Sequence, residues 1–429
     1  MLFRIYNILL YIFSVFFFPF MAVRLALKGK RRAGLKQRFG FFPKGFFSRK
    51  GGKAIWVHAV SVGETLAAVP LVKALKERHP DLTVFFSTVT ETGNAVATAN
   101  IGSIARVFYF PFDFMSVVKK VLSLAAPDCF VVVETEIWPN VVKALHDRGV
   151  PSVLVNGRIS PRSYSGYSRA RFFMRKVLEM IGAFNMQTQA DAERIKALGA
   201  PSGRVRVVGN VKFDQACGSP REGKEVLTKA RLGIPENALV VVAGSTHENE
   251  EAEVLAAYKR LLEDYPDAVL ILAPRHPERV PKVEALLQKE GLKYRLRSAH
   301  RGERITGPEV LLVDTMGELA LLYRAGDIIF VGGSWAPVGG HNVLEPAAYG
   351  KPVFFGPHMH NFAEISAALR DCGVGIEVRD GLHLAREAGR LLDEPERYET
   401  IGKLAKETLL RNRGALQKNL ELIERHLYG

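Results

Sequence analysis

Residues 327–331, Asp-Ile-Ile-Phe-Val, and 339–357, Gly-Gly-His-Asn-Val-Leu-Glu-Pro-Ala-Ala-Tyr-Gly-Lys-Pro-Val-Phe-Phe-Gly-Pro, carry the pattern that decides the fold. The first is an apolar run of strand length leading into Gly332-Gly333-Ser334. A Gly-rich turn, a short helix opening near Pro346 and a second apolar strand at 352–355 follow. Proline suits a first helical position, where its missing N–H costs nothing. Glycines ahead of a helix let a ligand approach the backbone, and the helix start offers free N–H groups to a phosphate. Glu345, one turn in, is placed to hold the two hydroxyls of a ribose, which is the chemistry of a nucleotide-sugar donor site. The same spacing supports a second reading. Asn342 and Glu345 lie three apart, as in a capping pair, and would simply close the helix end.

Outward from this stretch, strands and helices alternate. The run 54–60 is apolar, and Leu66, Val69, Val72 and Leu75 recur at helical spacing. Short strands follow at 83–87, 131–133 and 153–155. The rhythm breaks at 213–223, where Asp214, Gly218, Ser219 and Pro220 make a linker-like stretch, and restarts at 239–243. Runs at 269–272, 310–313 and 328–331 continue a second sheet. The expected fold class is α/β, with two Rossmann-like doubly wound domains facing a cleft: 54–213, a linker over 214–223, and 224–429. Ligands in such folds sit at the carboxyl ends of strands and between domains.

Hydrophobic content of 48% and charged content of 24% over 429 residues are those of an ordinary globular protein. The net charge of +15 is not, and it points to nucleic acid, an anionic membrane or acidic substrates. Its distribution selects among them. Arg24, Lys28, Lys30, Arg31, Arg32, Lys36, Arg38, Lys44, Arg49, Lys50 and Lys53 are eleven bases with no acid among them, directly after an uncharged apolar segment from Ile5 to Val23. As a helix that segment reaches roughly 28 Å, close to a hydrocarbon core of about 30 Å. Residues 1–23 are therefore expected to be a retained membrane anchor, spanning in preference to lying in the interface, although Pro19 leaves the second arrangement open. A cleaved signal peptide is disfavoured by the length of the apolar run and the dense basic block behind it. Residues 24–53 form a basic-aromatic, membrane-proximal segment whose Phe39, Phe41, Phe42, Phe46 and Phe47 are expected to dip into the bilayer. Anionic headgroups rather than nucleic acid are the expected partner. Three cysteines, Cys129, Cys217 and Cys372, indicate reduced thiols, and the positive-inside rule places the rest of the chain in the cytoplasm.

Several residues at strand ends can carry chemistry. Glu64 follows Ser61 after the first strand and can take a proton from an acceptor hydroxyl; Ser61-x-x-Glu64 also matches a capping box. Glu134 and Glu136 follow the third strand, and if it continues they point to opposite faces, so at most one reaches a ligand. Lys212, in Gly209-Asn210-Val211-Lys212-Phe213-Asp214, can meet a phosphate or an acidic sugar, or serve as a linker lysine. Pro274-Arg275 and Met316-Gly317-Glu318 occupy equivalent places on successive strands, with Arg275 suited to a phosphate or a cytosine edge. The segment from His247 to Glu250 reads as an acidic surface face apart from the turn at Ser245-Thr246-His247. No HExxH, paired CxxC, Asp-x-Asp or GxxxxGK[ST] pattern is present, so neither a metal site nor a cofactor is drawn.

With these residues laid out, nearly the whole chain resembles the Kdo transferases, which add 3-deoxy-D-manno-octulosonic acid (Kdo) to lipid A precursor. The likeness runs through the segments beginning His58-Ala59-Val60-Ser61, Glu134-Thr135-Glu136-Ile137-Trp138-Pro139-Asn140, Asn156-Gly157-Arg158, Gly209-Asn210-Val211-Lys212, Ala273-Pro274-Arg275-His276 and Gly339-Gly340-His341-Asn342. The resemblance implies a GT-B fold, CMP-Kdo as donor, and inverting transfer to lipid IVA at the cytoplasmic face of the inner membrane. It makes Glu64 the general base, with Glu134 and Lys212 stabilising the transition state. CMP would lie against Pro274, Arg275, Met316, Gly317, Glu318, Asn342, Val343, Leu344 and Glu345. Gly157 stands where the family pattern has alanine, and Asn249 where it has glycine. The alternatives are a GT-B transferase using a UDP-sugar on lipid intermediates, and a membrane-bound glycolipid- or nucleotide-binding protein without turnover. The N-terminal segment is expected to be separable from catalysis, because no candidate catalytic residue precedes Glu64.

Overall fold

The computed structural model describes residues 1–28, 34–49, 51–217, 227–305 and 307–429. Among these residues the apolar runs form two seven-stranded sheets, each in its own unit. The first unit comprises Met1–Asp214 and Arg413–Gly429. Its strands are β1 (Ala54–His58), β2 (Thr83–Thr88), β3 (Arg106–Tyr109), β4 (Cys129–Val133), β5 (Ser152–Gly157), β6 (Ala183–Met186) and β7 (Val205–Val207), in the order β3-β2-β1-β4-β5-β6-β7. The second unit, Gln215–Asn412, holds β8 (Val240–Thr246), β9 (Val269–Pro274), β10 (Tyr294–Leu296), β11 (Glu309–Leu312), β12 (Ile328–Val331), β13 (Val353–Phe355) and β14 (Gly375–Glu377), in the order β10-β11-β9-β8-β12-β13-β14.

All the pairings are parallel, and this explains the sequence pattern. Parallel sheets are covered on both faces, so their strands read as continuous rather than alternating apolar runs. Every residue of β1, β4 and β12 is buried. In the first unit the chain winds from β1 to β3 at the sheet edge, then returns to place β4 beside β1. The connections leaving β1 and β4 therefore part in opposite directions, opening a crevice at their carboxyl ends. The second unit repeats the arrangement at β8 and β12.

The C-terminal helix Ala415–Tyr428 belongs with the first unit, not with the 224–429 domain expected from a single boundary. Its Leu420, Ile423 and Leu427 join the core formed by Ile55, Val57, Val131 and Val153. Asp214, expected at the start of a linker, lies in the helix Val211–Cys217, and its carboxylate accepts from Gly414 N at 2.7 Å and Leu416 N at 2.9 Å. Residues 218–223 of that linker lie outside the described residues, as do Lys30, Arg31, Arg32 and Lys50 of the basic block.

The phenylalanines after the basic block do not form the bilayer-dipping surface expected of them. Phe47 is buried, and Phe42 and Phe46 pack against the cluster of Trp56, Phe85 and Phe108. Phe39 meets Phe112 edge-on at 5.0 Å. Phe41 alone of the five is largely exposed, beneath Lys120 at 3.6 Å. The exposed apolar surface lies instead on the helix Leu2–Lys28, where Ile5, Ile8, Leu9, Ile12, Phe13 and Phe16 recur at i, i+3, i+4 spacing on the outward side. Tyr6 and Asn7 face inward and hydrogen-bond Asp113 and Asn140. Among the described residues, no helix is long and apolar enough to cross a membrane.

Asp214 caps the start of a core helix far away in sequence. Asp214→Ala should therefore lower unfolding free energy by about 1–2 kcal/mol, as for loss of a helix cap. A denaturant melt checks this, and an unchanged midpoint would mean the C-terminal helix is held without that cap.

Candidate active site

At the carboxyl end of β1 the chain must turn into a helix, leaving backbone N–H groups without strand or helix partners. Ser61 Oγ accepts from Glu64 N at 3.4 Å, while Glu64 Oε2 accepts from Val60 N at 2.7 Å and Oε1 from Ser61 Oγ at 2.9 Å. Ser61 thus caps the helix as expected, while the reciprocal bond of Glu64 goes to Val60 N, one residue before the cap. This capping does not displace the chemical reading, because the same carboxylate carries a strongly altered proton affinity. Burial pushes Glu64 up to about 7 against the two hydrogen bonds, and the charges of Glu134 and Glu136 raise it further.

Those neighbours come from the adjacent β4. The strand ends at Val133, and Glu134 turns the chain with φ of 63°, a conformation that L-residues with side chains seldom adopt outside functional sites. Strand alternation therefore stops before the two acids, and the charge of each raises Glu64. Burial raises Glu134, with Lys212 and Arg158 opposing the rise; burial and the charge of Glu134 raise Glu136. The loop is fixed at its far end by Trp138 Nε1, which donates to His58 Nε2 at 3.2 Å. Burial drives His58 down to about 3, which keeps that nitrogen free to accept.

Lys212 is placed by a chain of buried amides. Gln187 Nε2 donates to Asn156 O at 2.9 Å, Asn210 Nδ2 donates to Gln187 Oε1 at 2.8 Å, and Asn210 Oδ1 accepts from Lys212 N at 3.0 Å. Asn156 Oδ1 also accepts from Val211 N at 3.1 Å. The lysine is thus part of the first unit's framework, not a linker residue. A Cβ at Gly157 would come within 2.3 Å of Leu154 Cδ2 and 2.6 Å of Met186 Sδ, the ends of two flexible side chains, so alanine fits there only if those ends shift.

In the second unit the residues expected to bind a nucleotide follow the ends of β9, β11 and β12. Arg275, exposed after Pro274 at the end of β9, donates its N–H to Thr246 O at 2.9 Å. His247 and His341 stack with ring centroids 5.1 Å apart and Nε2 atoms 2.9 Å apart, so one ring donates and the other accepts. Burial lowers both, with Arg275 and His276 adding to the effect, and His341 falls to about 4. The pair is neutral near pH 7 beside a permanent cation. Glu318 Oε2 accepts from Thr315 Oγ1 at 3.0 Å, and Met316 and Gly317 are exposed beside it. The helical turn opens at Leu344 rather than near Pro346, because Asn342 Oδ1 accepts from Leu344 N at 3.1 Å. Asn342 Nδ2 donates to Glu345 Oε1 at 3.1 Å, a side-chain pairing rather than the expected capping box, since the N-cap position is Val343. Val343 and Leu344 are fully buried, backbone included.

One residue central to this site was not legible. Glu250 reads from sequence as part of an acidic surface face, yet it is buried and gathers five backbone N–H groups. Oε2 accepts from His247 N at 2.8 Å and Gly333 N at 2.7 Å; Oε1 accepts from Ser334 N at 2.9 Å, Trp335 N at 2.8 Å and Ala336 N at 3.1 Å. It ties the end of β8 to the Gly-rich loop after β12. Gly333 takes φ of 66°, and a Cβ there would lie 2.9 Å from His341 Cδ2, so the loop closes only around glycine. The surrounding signal was Asn249, whose φ of 73° supplies the left-handed turn that glycine gives in the family pattern.

Residues 33–215 match the family described as 3-deoxy-D-manno-octulosonic-acid transferase (kdotransferase). A 3-deoxy-D-manno-octulosonic acid transferase of Haemophilus influenzae is 36% identical over 410 residues, 94% of each chain. One of Bordetella pertussis is 34% identical over 409 residues, 92% of this chain and 93% of that one. Among solved structures, S. aureus MnaA with UDP has a TM-score of 0.57 at 16% identity, covering 88% of this chain and 97% of that chain. Acinetobacter baumannii MurG has a TM-score of 0.56 at 12% identity, covering 87% and 100%. These two likenesses concern the fold alone: two parallel-sheet α/β domains, like those of GT-B glycosyltransferases.

Replacing Glu250 by alanine strands five N–H groups in a buried loop. We expect Glu250→Ala to destabilise the protein by at least about 3 kcal/mol, given that bonds to a charged acceptor each contribute about 1.5–3 kcal/mol. A denaturation midpoint within error of the parent would show that the loop keeps its shape without the carboxylate.

Proposed function

The chain belongs to the Kdo transferase family, and from that premise we propose that it moves Kdo from CMP-Kdo to a lipid A precursor, lipid IVA, as an inverting glycosyltransferase at the cytoplasmic face of the inner membrane. The observation that carries the reading is the Glu64 carboxylate, held at the β1–β4 crevice and raised to about 7 by burial and two acidic neighbours. A carboxylate of that proton affinity is matched to abstracting a proton from a hydroxyl near neutral pH. Glu64 takes the acceptor hydroxyl proton as the oxygen attacks the anomeric carbon of the donor and CMP departs. Lys212 and Glu134 stabilise the charge that develops.

The donor belongs with the second unit. Arg275 faces its phosphate or cytosine, the Met316–Gly317–Glu318 turn lines the nucleotide, and Glu345 with Asn342 holds the ribose, with Val343 and Leu344 buried beneath them. The His247–His341 pair keeps one ring N–H unspent beside Arg275, so positive charge and an N–H donor favour the departing CMP. The helix Leu2–Lys28 supports the membrane assignment. It turns polar side chains toward the protein and an apolar stripe outward, the reverse of a helix built to be covered by its own domain and surrounded by water.

Glu64→Gln keeps the capping geometry, since glutamine serves at that position of a capping box, and so isolates the chemical role. With CMP-Kdo and lipid IVA, turnover should fall by about 100-fold or more with the melt unchanged. In the parent, kcat/KM should rise with pH and level off above about 7, because the base acts deprotonated; below that it should fall about tenfold per unit. Full activity in Glu64→Gln would remove Glu64 from the chemistry.

A further inference from the structure

The helix Val62–Arg78 has its cap in its own sequence, but the helix Pro139–His146, which follows the Glu134–Glu136 loop directly, has none. Its N-cap position is Trp138, whose side chain caps nothing. The cap comes from elsewhere. Asp113, buried beyond the end of β3, accepts from Asn140 N at 3.0 Å through Oδ2 and from Val141 N at 3.0 Å through Oδ1. Two buried backbone donors next to the acidic loop therefore depend on one carboxylate 27 residues away in sequence.

That carboxylate depends in turn on the N-terminal helix. Tyr6 Oη donates to Asp113 Oδ2 at 2.8 Å. Asn7 and the fully buried Asn140 form a reciprocal amide pair: Asn7 Nδ2 donates to Asn140 Oδ1 at 3.0 Å and Asn140 Nδ2 to Asn7 Oδ1 at 2.8 Å. Asn140 Nδ2 also reaches Asp113 O. Apolar contacts run in parallel. Phe3 meets Phe173 edge-on at 5.2 Å, Tyr6 stacks on the same ring at 5.2 Å, and Phe3 packs on the cluster containing Ile137, a residue of the loop itself. Tyr11 stacks on Phe114 at 5.1 Å, next to Asp113. A helix that only tethered the protein would have no need of this inward polar set. Polar groups in an otherwise apolar segment persist where they specify one arrangement and are fully paired.

We infer that the helix Leu2–Lys28 is a structural member of the active-site framework, with Tyr6 and Asn7 as positioning residues that hold the 134–141 loop through Asp113 and Asn140. This revises the expectation that the segment is separable from catalysis. The helix proposed to meet the bilayer thus also holds the loop carrying Glu134 and Glu136. The inference rests on the proposed transfer reaction only for its kinetic arm.

The test uses the full chain, with Tyr6→Phe, which keeps the ring stack and removes the hydroxyl, and Asn7→Leu, which keeps the volume and removes the amide. Hydrogen exchange at the Asn140 and Val141 amides reads the helix start that anchors the loop. Kinetics with CMP-Kdo and detergent-dispersed lipid IVA read its consequence without a bilayer. Exchange at those amides should rise about tenfold in each variant, kcat should fall about tenfold, and the KM for CMP-Kdo should stay within about twofold. Unchanged exchange in both variants overturns the inference. Faster exchange with unchanged kcat overturns it too, because the network would then be a helix cap and nothing more. If the parent does not turn over CMP-Kdo, the transfer reading fails by itself, and the exchange result alone decides whether the helix holds the loop.

Discussion

The backbone N–H groups left over where a parallel strand ends are the constraint around which this protein is arranged. Such groups are buried too well to find water and must find an acceptor. Here the acceptor is repeatedly a carboxylate. Glu64 serves Val60, Asp191 serves Ile159, and Glu250 serves five donors at once; Asp113 and Asp214 do the same for the starts of two helices. A buried carboxylate is costly unless it is fully bonded, and this is how each is bonded.

That solution has a chemical consequence. The strand ends are also where a doubly wound sheet opens its crevice, so carboxylates recruited to satisfy the backbone stand where ligands bind. Glu64 shows both sides. Its hydrogen bonds are those of a helix cap, and its proton affinity is that of a group poised near neutrality. Capping and the proposed catalysis are not competing accounts of Glu64, since one geometry is compatible with both.

Much of this was legible in the sequence, for physical reasons. The runs at 131–133, 269–272 and 328–331 are strands because burial on both faces demands unbroken apolar residues. The strand-end motifs around Glu64, Glu134, Arg275 and Glu345 fall where the topology puts a site. What escaped is whatever depends on distant pairing. Glu250 looks like one acid among several until the loop after β12 closes on it. Phe42, Phe46 and Phe47 look like membrane residues until the Trp56 cluster receives them. The return of Ala415–Tyr428 to the first unit has no local signature, since Asp214 and Leu416 are joined only in the fold. Tyr6 and Asn7 were hidden in the same way, as two polar letters in an apolar segment.

The central claim is that the chain transfers Kdo from CMP-Kdo to a lipid A precursor, and one assay addresses it most directly. The full-length protein is incubated with lipid IVA and either CMP-Kdo or UDP-GlcNAc, with released nucleotide and acceptor mass followed together. The account predicts release of CMP matched by Kdo gained on lipid IVA, and no transfer from UDP-GlcNAc. Transfer from UDP-GlcNAc, or the absence of any gain in acceptor mass with CMP-Kdo, would contradict it.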